Sequence, residues 1–317
     1  MAPTVLIARS LLAAGAARLR EQAELRAGGL DADRARLLEL APGAEAIVAD
    51  PTVPVDAALL DAAGDSLRVV ANFAVGYDNV DLDACRERGV IVTNTPGVLT
   101  NTTAELALAL TMAAARRLTE TEAELRAGRW TGWDPGAYLG EELSDATFAI
   151  IGLGRIGHRY AQLVRGLAGR IVYVSPSAKR EAERELGAER LELAEALAIA
   201  DVVSVHAPGG ERTKHLIGSA ELEPMKPTAI LVNTSRGTLV DPTALASALT
   251  ERRLGAAGLD VYEHEPSVPR ELLAAPRCVL LPHIGSATTS ARDAMAVAVA
   301  ENVLAVIDGR EPPNRVV

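Results

Sequence analysis

The chain has 317 residues, enough for two domains with cores of their own. Hydrophobic residues make up 49% of it and the formal net charge is −10, a globular composition that argues against a nucleic-acid surface, which needs clustered Lys and Arg. Cys85 and Cys278 match no metal spacing and read as buried thiols. No apolar run approaches the ~20 residues of a membrane helix, and Met1–Arg9 reads as a first β-strand rather than a signal peptide, so a soluble cytoplasmic protein is expected.

In chain order, the short apolar runs Glu45–Asp50, Leu67–Asn72 and Val90–Asn94 alternate with helical stretches. That is the pattern of a parallel sheet buried on both faces. A helix from about Thr102 to Arg117 is apolar all round and is expected to be buried. Leu118–Ser144 is less regular and carries Trp130, Trp133 and Tyr138, which suggests an arm packed on another domain or a second copy of the chain. A second βα series begins at Ala146–Ile151 and continues with strands at Arg170–Val174, Asp201–Val205, Thr228–Val232, Ala256–Asp260 and Cys278–Leu281. Asp241-Pro242 reads as a helix start, with Asp as cap and Pro at the first helical position. A last helix is expected from Thr288 to Ile307, stopped by Glu311–Asn314.

The first chemical motif is Gly152-Leu-Gly-Arg155-Ile156-Gly157, with Gly154 at its centre. Alone such a run is a glycine turn. Here it follows an apolar strand and opens a helix, the context of a dinucleotide fingerprint. Glycines allow the pyrophosphate to approach, and the helix N-terminus offers N–H groups and a positive dipole end. After the next strand, Tyr173-Val-Ser175-Pro-Ser177-Ala-Lys179-Arg180 lacks the acid that would bind the ribose hydroxyls of NAD. Two serines and two cations would instead accept a 2′-phosphate, which favours NADP; the plainer alternative is a solvated helix start that leaves NAD bound less selectively.

Three further motifs lie near the end: Asn233-Thr-Ser-Arg236-Gly237, Gly258-Leu-Asp-Val-Tyr-Glu-His-Glu265-Pro266 and Pro282-His283-Ile-Gly-Ser-Ala-Thr288. An arginine fork suits a carboxylate, and histidine beside glutamate suits proton transfer near neutrality. Each has a plain alternative: a structural ion pair for Arg236, a satisfied core residue for His283, one solvated charge among several for Glu265. His206 is expected to be structural.

With these motifs in this order, together with Val75-Gly76-Tyr-Asp-Asn-Val80 and His206-Ala207-Pro208, the chain resembles the D-isomer-specific 2-hydroxyacid dehydrogenase family over essentially its whole length. Its glyoxylate/hydroxypyruvate reductases are the nearest in look. The resemblance implies two doubly wound α/β parallel-sheet domains. A flavodoxin-like substrate domain, 1–98 plus 286–317, would receive an inserted Rossmann coenzyme domain, 99–285, with the active site in the cleft between them. Arg236 would bind the substrate carboxylate and keto oxygen, with the N–H groups of Val75 and Gly76 on the carboxylate's other side. His283 would donate the proton in reduction and accept it in oxidation, oriented by Glu265, whose charge favours the imidazolium. Asp260 would face the nicotinamide carboxamide; Thr103, Ala207, Pro208, Thr213, Thr234 and Gly285 would line the cofactor. The expected partners are a small 2-keto or 2-hydroxy acid and a second copy of the chain, with neither nucleic acid nor membrane.

A different class shares the fold: nucleotide-sensing co-regulators that bind partner peptides. Against it stands the lack of appended tails. Within the enzymes, a regulated 3-phosphoglycerate dehydrogenase would need a longer C-terminus. Formate dehydrogenation is disfavoured because Glu265 stands where that group resembles glutamine.

Overall fold

The computed structural model describes residues 2–317, so Met1 of the expected first strand lies outside the described residues. The chain divides into two compact units, the segment through Leu99 together with Ser286–Val317, and Thr100–Gly285. Among the described residues no helix is long and apolar enough to cross a membrane.

The first unit holds the parallel strands β1 (Thr4–Ile7), β2 (Glu24–Ala27), β3 (Ala46–Ala49), β4 (Val69–Asn72) and β5 (Ile91–Thr93), in the order β2-β1-β3-β4-β5. That is the flavodoxin-like order. Leu6, Ile47, Val70 and Val92 pack into one cluster with helix residues Leu37, Leu59 and Leu60. Helices begin where an aspartate can cap them: Asp33, Asp56 and Asp81 each accept a backbone N–H of the first turn. The C-terminal tail returns along β5, where Val316 N–H donates to Val92 O at 2.7 Å and Val92 N–H to Val317 O at 3.1 Å.

The second unit holds β6 (Ala146–Ile151), β7 (Ala168–Val174), β8 (Glu189–Arg190), β9 (Val202–Val205), β10 (Ile230–Asn233), β11 (Ala256–Leu259) and β12 (Cys278–Leu280). All pairs are parallel and the order is β12-β11-β10-β9-β6-β7-β8, a Rossmann sheet with one further strand at an edge. Chain order reverses between β6 and β9, the switch point where ligands of such sheets bind. Both faces are covered. Phe148 and Ile150 face one cluster and Ala149 and Ile151 the other, the period of two that a buried strand imposes. The helix Thr100–Ala115 is buried against β10, β11 and the helix Arg155–Val164, as its all-round apolar sequence requires.

Two expectations change. β2 and β8 have no counterpart in the apolar runs, because both are edge strands with exposed charged residues. Leu118–Ser144 is not irregular throughout: Leu118–Arg126 is a helix with no buried residue, supported by Arg117–Glu120 and Arg126–Glu122 pairs. Trp130 and Trp133, expected to pack on another domain or a second copy of the chain, are exposed in the single chain. Both cysteines are free, and burial pushes the Cys85 thiol up to about 11 and that of Cys278 to about 12.

Candidate active site

The glycine fingerprint forms the turn from β6 into the helix Arg155–Val164. Gly152 has φ +95°, and a Cβ there would lie 2.7 Å from the Ala207 nitrogen. A Cβ on Gly157 would lie 2.2 Å from Gly152 O, so both positions demand glycine for close backbone packing. Gly154 is open, and as N-cap it supplies no side-chain cap, which leaves the first N–H groups of the helix for an anion. Beneath this turn His206 Nε2 meets Ser204 Oγ at 2.8 Å, and its ring packs tilted against that of Tyr160, centroids 5.2 Å apart. Burial pushes its pKa down to about 3, so this histidine is neutral and carries no proton chemistry near neutrality.

The segment after β7 is braced by two residues the sequence reading passed over. Arg190 on β8 donates to Ser175 O at 2.9 Å and Pro176 O at 3.0 Å. Tyr173 OH accepts the Lys179 N–H at 2.8 Å and donates to Glu183 at 2.6 Å. Ser175 is half-buried and Ser177 exposed. Arg180 is 83% exposed and pairs with Glu183 at 3.2 Å, so much of its charge is answered locally.

Loops after β10, β11 and β12 bring the three late motifs together within the second unit. Asn233 closes β10; its Nδ2 donates to Arg236 O at 2.8 Å and its Oδ1 accepts Ser235 N–H at 3.0 Å. Arg236 Nη1 donates to Ser235 O at 2.8 Å. The next residue, Gly237, lies flat against the loop after β11: a Cβ would sit 1.9 Å from the Tyr262 carbonyl carbon. Beside that contact His215 Nε2 meets Glu263 Oε2 at 3.0 Å and Lys214 approaches Glu263 at 3.5 Å. The His215 hydrogen bond, foremost, holds the Glu263 carboxyl below its ordinary value.

Glu265 accepts the Tyr262 N–H at 2.9 Å on Oε1, and its Oε2 lies 2.6 Å from His283 Nδ1. Burial pushes the Glu265 carboxyl up, but the hydrogen bond and charge of His283, the Tyr262 N–H and the charge of Arg236 outweigh it and hold it low. An anionic Glu265 accepts, so Nδ1 carries a proton and Nε2 is the nitrogen left for exchange. His283 has φ +53°, a left-handed backbone that a non-glycine residue adopts only where its surroundings impose it.

Asp260, just past β11, is fully buried. Its Oδ1 accepts the Ile284 N–H at 2.7 Å, while among the described residues Oδ2 has no hydrogen-bond partner. Burial pushes this carboxyl up; the Ile284 N–H, the His283 charge and the neighbouring Gly285 N–H act against that. Thr234 Oγ1 is also buried without a partner. Thr103 Oγ1 donates to Gly285 O at 3.0 Å, and Thr213 Oγ1 to Pro208 O at 2.8 Å. An unsatisfied buried acceptor and hydroxyl, beyond a glycine turn with a bare helix N-terminus, fit a dinucleotide bearing a carboxamide. Val75 and Gly76 belong to the first unit, in the loop after β4.

A family model described as the NAD binding domain of D-isomer specific 2-hydroxyacid dehydrogenases matches residues 108–285. A glyoxylate reductase from Thermococcus litoralis is 47% identical over 287 residues, 89% of this chain and 86% of that one. One from Korarchaeum cryptofilum is 43% identical over 320 residues, covering 100% of this chain and 96% of its own. A solved protein from Thermus thermophilus superposes with a TM-score of 0.93 at 44% identity, covering 99% and 100% of the two chains. An NADPH-dependent glyoxylate/hydroxypyruvate reductase from Sinorhizobium meliloti, solved with NADP and malonate, gives 0.89 at 33% identity over 100% and 97%. With a family model over more than half of its length and relatives this similar along nearly all of it, the chain belongs to the D-isomer-specific 2-hydroxyacid dehydrogenase family.

Proposed function

We propose that this nicotinamide-dependent oxidoreductase reduces a small 2-keto acid, glyoxylate or hydroxypyruvate, to the 2-hydroxy acid, with NADPH preferred to NADH. The observation that carries the reaction is the His283–Glu265 pair at 2.6 Å, on loops packed with that of Arg236. The names of the relatives from Thermococcus litoralis and Korarchaeum cryptofilum support the substrate.

When bound, the nicotinamide supplies the hydride. Arg236 holds the carboxylate and stabilises negative charge as it grows on the keto oxygen. His283 delivers the Nε2 proton to that oxygen, and Glu265 keeps Nδ1 protonated and the ring in place. In oxidation the same nitrogen takes the proton back. The Val75 and Gly76 N–H groups bind the carboxylate as well. Asp260 Oδ2 would accept from the carboxamide, and Thr103, Ala207, Pro208, Thr213, Thr234 and Gly285 would line the cofactor's path. The exposed arm after Leu118 supports a homodimer.

The NADPH preference rests on the strand end. Val174 is followed by Ser175, not by a carboxylate that would repel a 2′-phosphate, and Arg190 holds Ser175 and Pro176 by their carbonyls. Ser175, Ser177 and Lys179 remain to meet that phosphate. Arg180 adds little, because exposed paired cations are screened.

The decisive assay follows absorbance with glyoxylate, hydroxypyruvate, pyruvate and a branched-chain 2-keto acid, each with NADPH and NADH. Glyoxylate or hydroxypyruvate should give the highest kcat/KM, and NADPH should exceed NADH. Ser175→Asp should shrink or reverse the cofactor ratio, mainly through KM. A wild-type preference for NADH of about tenfold or more contradicts the cofactor assignment.

A further inference from the structure

Side-chain amides hold the loop after β4. Asn72, fully buried, donates to Gly76 O at 2.8 Å and to Asn79 Oδ1 at 3.0 Å. Asn79 donates in turn to Asp50 O and Val53 O, both at 3.0 Å. Just past β5, Asn94 Nδ2 donates to Val75 O at 2.8 Å, and the Thr95 N–H to Ala74 O at 2.9 Å. Three consecutive carbonyls, those of Ala74, Val75 and Gly76, are therefore captured by the fold.

A trans peptide points its C=O and its N–H in opposite directions. Capture of Ala74 O and Val75 O by the adjoining Asn94–Thr95 segment thus turns the Val75 and Gly76 N–H groups away from it. Among the described residues neither N–H has a hydrogen-bond partner. Successive N–H groups presented this way make an anion-binding concavity.

Asn94 is fixed from behind by the end of the chain. Its N–H donates to Asn314 O at 3.2 Å, and its O accepts Asn302 Nδ2 at 3.1 Å. Buried Asn302 accepts the Asn314 N–H at 3.1 Å. The sequence has seven asparagines; five of them, Asn72, Asn79, Asn94, Asn302 and Asn314, form this brace, and Asn233 holds Arg236 O in the same manner. Asparagine suits the task because it donates to one backbone group and accepts from another without adding charge.

We propose that Asn94 and Asn72 are positioning residues for the substrate carboxylate. Asn94, on Val75 O, turns the Gly76 N–H of that same peptide toward an anion; the Thr95 N–H on Ala74 O does the same for the Val75 N–H; Asn72, on Gly76 O, fixes the loop just beyond, and the C-terminal tail, through Asn302 and Asn314, completes the brace. This rests on the reading of Val75 and Gly76 as carboxylate donors.

The test compares Asn94→Ser and Asn94→Asp with wild type. It measures glyoxylate KM and kcat, oxalate binding to the NADPH-loaded protein by calorimetry, and NADPH affinity by fluorescence. Asn94→Ser should raise KM and weaken oxalate by about tenfold, with kcat within about threefold and NADPH affinity unchanged. Asn94→Asp should be worse at pH 8, where its carboxylate oxygen faces Val75 O. Toward pH 5 its protonated form can donate to that carbonyl, so its deficit should narrow, while that of Asn94→Ser should not. A packing role alone predicts the reverse: the isosteric Asp milder than Ser, with no pH dependence. That result, or unchanged KM and oxalate affinity in folded variants, overturns the inference. Should Asn94 variants misfold, Asn302→Ala, which removes the amide that donates to Asn94 O, is expected to raise KM and weaken oxalate in the same direction, and no change there overturns it too. Oxalate affinity reads the nest without turnover, so wild type that fails to reduce glyoxylate sinks the functional reading separately.

Discussion

Glu265 accepts from Tyr262 N–H at 2.9 Å and pairs with His283 at 2.6 Å, so it is held at both oxygens. Its carboxyl sits below the ordinary value, and its stabilisation is present above about pH 4.3 and lost as the pH falls through the folded value. At neutral pH it is therefore an anion beside His283. Two outcomes follow at this scale. His283→Ala should lower kcat for reduction by roughly 10²–10⁴ with cofactor affinity nearly intact; near-wild-type turnover would remove the role. Glu265→Gln removes the anionic acceptor of the His283 Nδ1 proton, so kcat for reduction should fall by roughly 10–10²-fold with cofactor affinity nearly intact. An unchanged kcat would detach Glu265 from the pair. His283 and Glu265 were legible in sequence because few side chains move protons near neutrality and both sit beside a proline in short motifs. Arg190, Asn94 and Asn302 were not. Their hydrogen bonds join positions far apart in the chain, and nothing in an asparagine's neighbours announces which carbonyl it holds.

At the scale of elements, the loops after β10 and β11 are fixed by contact rather than by hydrogen bonding alone. A Cβ at Gly237 would sit 1.9 Å from Tyr262 C and 2.3 Å from Glu263 N, with the His215–Glu263 pair clipping the same place. Arg236 precedes that glycine and Glu265 follows that contact by two residues, so the fork and the histidine's partner share one register. Gly237→Ala should force the loops apart and lower kcat/KM by about 10²-fold, since displacement of about an ångström costs that much. Affinity for the nicotinamide cofactor should change far less, because the fingerprint turn is elsewhere. Unchanged kcat/KM in the folded variant would show that the two loops act independently. The buried strands could be read from apolar runs because parallel sheets covered on both faces require them. β2 and β8 escaped that reading because half-exposed edges carry charge, and the helix Leu118–Arg126 escaped it because no face of it is buried.

For the molecule as a whole, the arm after Leu118 is the surface that the fold of one chain leaves unexplained. Trp133 is 84% exposed, Leu139 65% and Trp130 55%, and the neighbouring helix buries nothing. Grouped exposed aromatic and aliphatic side chains of this size mark interaction surfaces rather than solvent-facing ones. The net charge of −10 gives two copies a general repulsion, which apolar contact over such an arm must exceed. Trp133→Asp with Leu139→Asp places two charges where apolar burial would hold the copies together, and desolvating them opposes association. Wild type should therefore show in light scattering a mass twice the 33.2 kDa of one chain, and the double variant should shift toward a single chain as it is diluted. The variant's unfolding should also become less dependent on protein concentration, since a dimer gains stability by mass action and a monomer does not. A wild-type mass of one chain at every concentration would leave the arm without a second copy to cover it.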